Sequence, residues 1–273
     1  MAILLATLAG SQAWGAADAS SDSSEKLQEV TVAAQRAQLA DRLAAFVSKI
    51  SGPVFDGGLP LWGQPVCPLA SGLAQEDGEF VVGRIADVAR AGRVPLAGGK
   101  CHPNLYILVT SQPQKLLKTM TTEQNFQFTF GISTEPMDGT PIVASHIVID
   151  DFISKPGPVR VLYRDAPIVP SGVHPFVHAA KVGPVDASQL KGVTLGQLAD
   201  YAALVGLTEI KPADSLADAP TILQLFNGTP QAAPTGMTDW DRAFLKSLYT
   251  TRQHMPAQQR WHVVQTTVSE VAH

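Results

Sequence analysis

The chain has 273 residues, of which 45% are hydrophobic and 16% are charged, so it is long enough to bury a substantial core. Its net charge is −4 at pH 7, and its 20 Lys and Arg residues are scattered rather than clustered. Nucleic-acid binding needs a concentrated basic surface, so we expect no nucleic-acid partner. The length favours one main globular unit behind an N-terminal leader.

Residues 1–17 have the pattern of a secretory signal peptide. The apolar run at residues 2–10 (AILLATLAG) is too short to cross a bilayer, and small residues at 15–17 fit a cleavage site. One departure from the pattern is that no Lys or Arg precedes the apolar run. No later stretch reaches the length of a membrane span, so the sequence predicts a periplasmic or secreted product without a transmembrane segment.

Residues 18–36 are predicted to form a flexible N-terminal arm. The first part, 18–28 (DASSDSSEKLQ), is polar and Ser-rich, which is typical of a disordered spacer. The second part, 29–36 (EVTVAAQR), resembles the TonB box of outer-membrane receptors, an extended segment that adds as a strand to its partner. The alternative is a short edge strand or the entry into the next helix, because the chain is too short to include a receptor barrel. The resemblance implies an envelope partner contacted through Glu29, Val30, Thr31 and Val32.

Residues 37–273 are predicted to form a single α+β domain, with a small sheet flanked by helices. Helical periodicity favours an amphipathic helix over 37–51 and another over 75–91, separated by a Gly- and Pro-rich loop at 52–75. The second helix should end at Gly92 and turn inward Phe80, Val81, Ile85, Val88 and Ala89. Strands are expected at 104–110, 126–132, 142–149 and 159–163, a short helix at 113–120, and turns throughout 164–192.

The helix after these turns has a strong start signal. Thr194 and Gln197 form a capping box, in which each side chain bonds the backbone N–H of the other residue. An apolar stripe follows over 195–205, and Gly206 is expected to end the helix in the left-handed conformation.

Another helix is predicted to begin after the N-cap Thr238. Two acidic residues, Asp239 and Asp241, lie in its first turn and complement the helix dipole. Its apolar residues recur at every fourth position and should anchor it to the core: Trp240, Phe244 and Leu248. A final, frayed helix is expected within 250–273.

Residues 192–250 resemble the C-terminal half of a metzincin zinc peptidase. The order is a helix (GVTLGQLADYAALVGLTEI), the segment DAPTILQLF, and a helix that opens on acidic residues and ends in Leu-Tyr. In metzincins the first helix carries H-E-x-x-H-x-x-G-x-x-H. With the motif glycine at Gly206, the histidine positions are Ala199, Ala203 and Glu209, and the general-base position is Asp200. The resemblance implies a zincin-like fold without its zinc ligands, so we expect no catalytic site, no metal and no cofactor. The alternative is an ordinary core helix.

Five segments resemble a family of exported proteins of Gram-negative bacteria. They are PVCPL, GEFVVGRIADVARAGRVPLA, CHPNLYILVT, LADYAALVGL and DAPTILQLF, and the resemblance covers residues 40–250. It implies one coherent domain and brings no activity or site residues.

The two cysteines, Cys67 and Cys101, are predicted to form a disulfide, since an even count in an exported chain indicates pairing. In the loop-entropy model such a bridge stabilises the folded chain by about 3–4 kcal/mol. Free buried thiols are the alternative, and neither cysteine belongs to a C-x-x-C pair.

These patterns favour a non-catalytic cell-envelope protein with a role in binding or assembly. The chain contains no G-x-S-x-G elbow and no Walker loop. One alternative is a hydrolase with an unconventional metal or acid/base site, for which the candidate residues are Asp150, His174, His178 and Asp200. Another is a TonB-interacting periplasmic accessory protein. His174 and His178 have the i, i+4 spacing of a helical metal pair, although surface histidines are the simpler interpretation.

Overall fold

The computed structural model describes residues 18–51, 59, 61–62, 64–112, 115, 162–167, 176–208, 210, 216, 219–226, 230–251 and 256–272. Its contacts divide the chain into two units, Met1–Asp41 and Arg42–His273. The candidate signal peptide lies outside the described residues. Within the described residues, no helix is long and apolar enough to cross a membrane.

Helix α1, Asp18–Ile50, begins much earlier than the predicted helix at 37–51. The backbone of the predicted flexible arm over 18–36 is helical, and for 29–36 this agrees with the alternative of an entry into the next helix rather than with an extended TonB-box strand. Strand-like alternation covers only the three residues 30–32, whereas Glu, Lys, Leu, Gln and Ala around them favour helix. Val30 and Val32 are exposed on this helix.

The second unit combines a small sheet with helices, as the α+β prediction requires. The strands are β1 Leu61–Trp62, β2 Pro68–Ser71, β3 Leu105–Thr110, β4 Leu162–Pro167 and β5 Phe176–Asp186. The helices after α1 are α2 Gln75–Ala91, α3 Leu195–Leu207, α4 Asp239–Thr250 and α5 Pro256–Val271, with 3₁₀ turns at Ala187–Leu190 and Ile222–Phe226.

Strand β5 is the centre of the sheet. The order β1-β5-β3-β2 is parallel throughout, and β4 pairs with β5 in the antiparallel direction. The strand predicted at 104–110 is confirmed as β3, and the one predicted at 159–163 overlaps β4. Parallel neighbours come from distant parts of the chain, so the sheet brings residues near 62, 107 and 180 together.

Two predicted irregular regions contain strands, so those predictions are wrong. Strands β1 and β2 lie in the expected loop 52–75, and β5 lies in the expected turns 164–192. Pro184 favoured turns, but it lies beyond Val182, the last β5 residue that pairs with β4. Beyond Val182 no described strand pairs with β5 on the side of β4. A proline, which has no N–H to donate, is tolerated at such an unpaired edge. The pairing of β1 with β5 depends on a partner more than 100 positions away, which local patterns do not show.

Helix α2 has the predicted bounds and ends before Gly92. Its buried residues are Val81, Ile85, Val88 and Ala89, as predicted, whereas Phe80 is half exposed. Successive helical residues are about 100° apart, so Phe80 lies beside the stripe rather than on it.

Helix α3 begins with the predicted capping box of Thr194 and Gln197. The prediction for Gly206 is wrong, because it lies inside the helix, which ends at Leu207. A Cβ at Gly206 would lie 3.0 Å from Cδ1 of Leu105, so a residue without a side chain lets α3 approach strand β3 closely. The Gly206 carbonyl also accepts a 2.9 Å hydrogen bond from Nε1 of Trp62.

Cys67 and Cys101 are joined by a disulfide with an S–S distance of 2.02 Å. Asn104 adds two hydrogen bonds to the same connection. Its Oδ1 accepts from the Cys67 N–H at 2.7 Å, and its Nδ2 donates to the Pro65 carbonyl at 3.1 Å. Bridge and amide together hold the segment before β2 against the start of β3.

The remaining predicted elements at 126–132 and 142–149, and the short helix at 113–120 apart from Lys115, lie outside the described residues. The final helix predicted within 250–273 is α5, with Val263 fully buried.

Candidate functional site

The α3 face that aligns with the zinc-ligand positions belongs to the core. Ala199 and Ala203 are both fully buried, and their methyl groups offer no metal ligand. Glu209, the third aligned position, lies outside the described residues. In the part of the chain that the structure describes, no group of three or more His, Cys, Asp or Glu side chains could hold a metal ion.

Asp200, at the aligned general-base position, is fully buried on the same helix. Its Oδ1 accepts a hydrogen bond from Arg84 Nε at 2.7 Å, and its Oδ2 accepts one from Arg84 Nη2 at 2.9 Å. Oδ2 also accepts from the backbone N–H of Met237 at 2.7 Å. This carboxylate therefore joins α2, α3 and Met237, which precedes the N-cap of α4.

Arg84 extends from this buried contact to the surface. Its side chain is 41% exposed, whereas its partner carboxylate is buried. The hydrogen bonds and the charge of Asp200 raise the pKa of Arg84, against a smaller opposing effect of burial. The guanidinium is therefore a permanent cation whose plane is set by a two-point contact.

Arg84 lines an open cleft of about 450 Å³ between α2, α4 and the end of α5. Helices α2 and α4 form the two long walls of the cleft, and they run in the same direction. Arg84 of α2 is connected through Asp200 to Met237, just before α4, and Gly92 at the end of α2 contacts Leu245 within α4. A Cβ at Gly92 would lie 2.6 Å from two Leu245 side-chain atoms, so glycine is required where the helices meet. Small residues line the space between them, namely Ala91, Gly92 and Ala243.

Charged side chains of both signs line the cleft. The basic residues are Arg84, Arg242 and Lys246, and the acidic residues are Asp87, Asp239 and Glu270. Lys246 Nζ and Glu270 Oε2 pair at 2.6 Å at one end. At the other end Arg242 donates through Nη1 to the Met237 carbonyl. The N–H of Met237 bonds Asp200 and its carbonyl bonds Arg242, so one residue anchors the two arginine contacts.

The start of α4 is held by a second buried carboxylate, Asp241. It accepts hydrogen bonds from the Thr221 hydroxyl at 2.5 Å, the Ile222 N–H at 2.9 Å and the Thr238 N–H at 2.9 Å. The last of these completes the capping box with Thr238, which confirms the predicted N-cap. Burial raises the pKa of Asp241, and its hydrogen bonds oppose that rise.

The far end of α4 is tied to the end of α3. Tyr249 Oη donates to the Leu207 carbonyl at 2.8 Å and so satisfies one of the carbonyls that a helix end leaves without a partner. The predicted anchors Trp240, Phe244 and Leu248 are all buried. Both ends of α4 are therefore fixed, which keeps one wall of the cleft in place.

The four residues predicted for an unconventional hydrolase are only partly described. Asp200 is engaged as above, and His178 lies on strand β5. The side chain of His178, and all of His174 and Asp150, lie outside the described residues. Of these four residues, only Asp200 has a described side chain.

Sequence reasoning missed Arg84 and Arg242. Arg84 had a detectable signal, because it lies on the apolar stripe of α2 between Val81 and Val88, where a charge needs a partner. Asp200, in the apolar helix α3, had the complementary signal. Arg242 is exposed on α4, and no local pattern distinguishes it from other surface arginines.

Comparison of the chain with protein-family models, curated proteins and solved structures found no match.

Proposed function

We propose that this chain is an exported, non-catalytic cell-envelope protein that binds a partner through the cleft between α2 and α4. The observation that carries the proposal is the state of Asp200. A general base must present a free lone pair to water or substrate. Both oxygens of Asp200 are instead occupied by Arg84 and the Met237 N–H in a fully buried position.

The same contact supports a binding role. A buried ion pair does not by itself stabilise a fold, because desolvation offsets the Coulomb attraction. A pair whose cation reaches a cleft does something further: it fixes the direction of a charged donor. The cleft volume of about 450 Å³ lies within the usual range of ligand sites.

The disulfide supports export. Stable disulfides belong to oxidising compartments such as the periplasm and the exterior. The Cys67–Cys101 bridge also closes the chain around α2, which carries one wall of the cleft.

Metal content and hydrolysis test the non-catalytic part of the proposal. Purified protein should contain substoichiometric zinc by elemental analysis, and it should not cleave a mixed peptide library with or without added Zn²⁺. Stoichiometric zinc with cleavage that is lost on chelation and in Asp200→Asn would overturn this proposal. That result would favour the rival hydrolase with Asp150, His174, His178 and Asp200.

Thiol alkylation tests the export part. Protein taken from its native host under non-reducing conditions should resist alkylation and gain two labels only after reduction. Labelling without reductant, with the protein in the cytoplasmic fraction, would contradict export.

A TonB-interacting accessory protein is the second candidate, supported by the exposure of Val30 and Val32. Strand addition would require the helix at 29–36 to open, since main-chain N–H groups there serve α1. Val32→Pro should then weaken binding to a periplasmic TonB domain, because it removes a strand donor. Tighter binding of the proline variant would show that opening of the helix, rather than formation of the added strand, limits binding. Absence of binding by the wild type would remove this candidate.

A further inference from the structure

We propose that the cleft binds the free C-terminal carboxylate of a short peptide. Arg84 and Arg242 donate hydrogen bonds to this carboxylate, and Asp200 is a positioning residue for Arg84. This inference rests on the binding function proposed above and names its ligand class.

The two arginines have donors left for a ligand. A guanidinium carries five N–H groups. Arg84 uses one on Nε and one on Nη2 for Asp200, and Arg242 uses one on Nη1 for the Met237 carbonyl. Both side chains line the cleft and are partly exposed. Both arginines therefore have N–H groups left for a carboxylate in the cleft, and one guanidinium edge with two free N–H groups provides the planar two-bond contact in which arginine recognises carboxylates best.

Pre-organisation distinguishes this end of the cleft from an ordinary basic surface. Ordering a long side chain costs binding free energy, and a side chain that is already fixed avoids that cost. Asp200 fixes Arg84 by two hydrogen bonds, and the backbone of Met237 links that contact to Arg242. Asp200 thus acts on a ligand only through Arg84.

The acidic residues of the cleft compete weakly for these arginines. Asp239 lies 4.0 Å from Arg242 and is 92% exposed, so water and salt screen the pair. Asp87 is 69% exposed and lies 2.5 Å from Arg90. Because both aspartates are exposed to water, their repulsion of an incoming carboxylate is screened.

The dimensions of the cleft favour a peptide over a small anion. From Arg84 to Gly92 helix α2 rises roughly 12 Å, which is the length of about three to four extended residues. Near the end of this path α2 contacts Leu245 at Gly92, while the neighbouring Ala91 is exposed, lines the cleft and has only a short side chain to obstruct a peptide backbone. At the far end the Lys246–Glu270 pair offers both a donor and an acceptor to peptide groups. An isolated carboxylate or phosphate would fill only the arginine end.

The test uses the full chain and isothermal titration with trialanine as the probe, once with a free C-terminus and once amidated. The free acid should bind, and amidation should weaken binding at least about tenfold, the effect of losing one charge-assisted contact. Arg242→Gln should weaken the free acid by a similar factor, and because Arg242 is exposed this variant should fold normally. Ala91→Leu, which places a larger side chain in the cleft, should weaken the binding of both peptides.

Three results would overturn the inference. One is equal affinity for the acid and the amide. Another is competition by acetate or inorganic phosphate as effective as that by trialanine, which would show a simple anion site. The third is no peptide binding at about 10 mM. None of these results would change the expected metal content, peptide cleavage or thiol alkylation. Failure of this inference can therefore be distinguished from failure of the export and non-catalytic parts of the proposed function.

Discussion

Asp200 and Asp241 are two fully buried carboxylates in the same C-terminal region, yet their surroundings differ. Asp200 meets a guanidinium that extends to the surface, whereas the described partners of Asp241 are hydroxyl and backbone N–H groups. The neutral partners join two chain segments, the 3₁₀ turn at Ile222–Phe226 with the preceding Thr221 and the start of α4, without reaching the cleft. The charged partner ends in a cleft. Similar burial therefore serves internal structure at Asp241 and a surface donor at Asp200.

Substitution of Asp241 by alanine should cause the largest loss of stability. It removes the N3 side chain of the α4 capping box, which accepts from the Thr238 N–H, and leaves the Thr221 hydroxyl and the Ile222 N–H buried without this acceptor. The free energy of unfolding should fall by about 3–4 kcal/mol, summed from one capping-box bond and two orphaned donors. Urea unfolding followed by circular dichroism measures it. A loss below about 1 kcal/mol would mean that the clamp is dispensable.

Asp200→Ala should destabilise less. Arg84 is half exposed and can be hydrated again, so the main cost is the buried Met237 N–H, about 2 kcal/mol. The same urea titration checks this value. A loss greater than that of Asp241→Ala would reverse the comparison and make the ion pair the main structural clamp.

Thr221→Val is a milder change at the Asp241 site. It keeps the side-chain volume, removes the hydroxyl donor to the carboxylate and leaves the buried Leu223 N–H without its Thr221 acceptor, at an expected cost of about 1–2 kcal/mol. Paired with Asp241→Ala in a double-mutant cycle, it should show strong coupling. Additive effects would mean that the hydroxyl does not act through Asp241.

The dependence of stability on pH should separate Asp241 from other acids. Burial raises its folded pKa above the ordinary 3.8, so the folded state holds this proton more tightly than the unfolded state. The associated stability is full below pH 3.8 and is lost as pH rises through the folded pKa. The difference in unfolding free energy between wild type and Asp241→Asn should therefore decline from acid toward neutral pH. A difference that grows with pH would contradict the assigned sign.

Tyr201→Phe should have the smallest effect, confined to alkaline solution. Tyr201 lies on α3 and packs edge-on against Phe226 at 4.9 Å, and burial raises its pKa from 10.0 to about 12. The raised pKa gives stability that is full below pH 10.0 and is lost between pH 10.0 and about 12. The variant should match wild type at neutral pH and resist alkaline unfolding better. Identical alkaline curves would show that the phenol is already hydrated.

Local signals in the sequence were sufficient for the helices of the C-terminal region. The Thr194–Gln197 and Thr238–Asp241 capping boxes are both present, since a cap depends on residues three positions apart. The α2 bounds followed from an apolar stripe and a glycine stop. The even cysteine count likewise pointed to the bridge between Cys67 and Cys101.

What depends on distant partners could not be predicted. Strand β1 has two residues and pairs with Val177 and His178, and its burial comes from tertiary contacts. Gly206 matched a helix stop locally, but its packing against Leu105 decides its place within α3. The cleft exists because Gly92 meets Leu245 and Arg84 meets Asp200, two contacts between separate helices that no single periodic pattern contains.

The most direct test of the difference between the two carboxylates is the affinity of free-acid trialanine in two isosteric variants. In Asp200→Asn the remaining oxygen can still accept from Arg84 Nη2 and the Met237 N–H, but the NH₂ group that replaces Oδ1 cannot accept from Arg84 Nε, so Arg84 loses the two-point contact that fixes its orientation. Thr221→Val loosens the other clamp and changes no residue of the cleft. Isothermal titration should show at least about tenfold weaker binding in Asp200→Asn and wild-type affinity in Thr221→Val. Equal affinity in wild type and both variants, or equal loss in both variants, would contradict a cleft-directed role for Asp200.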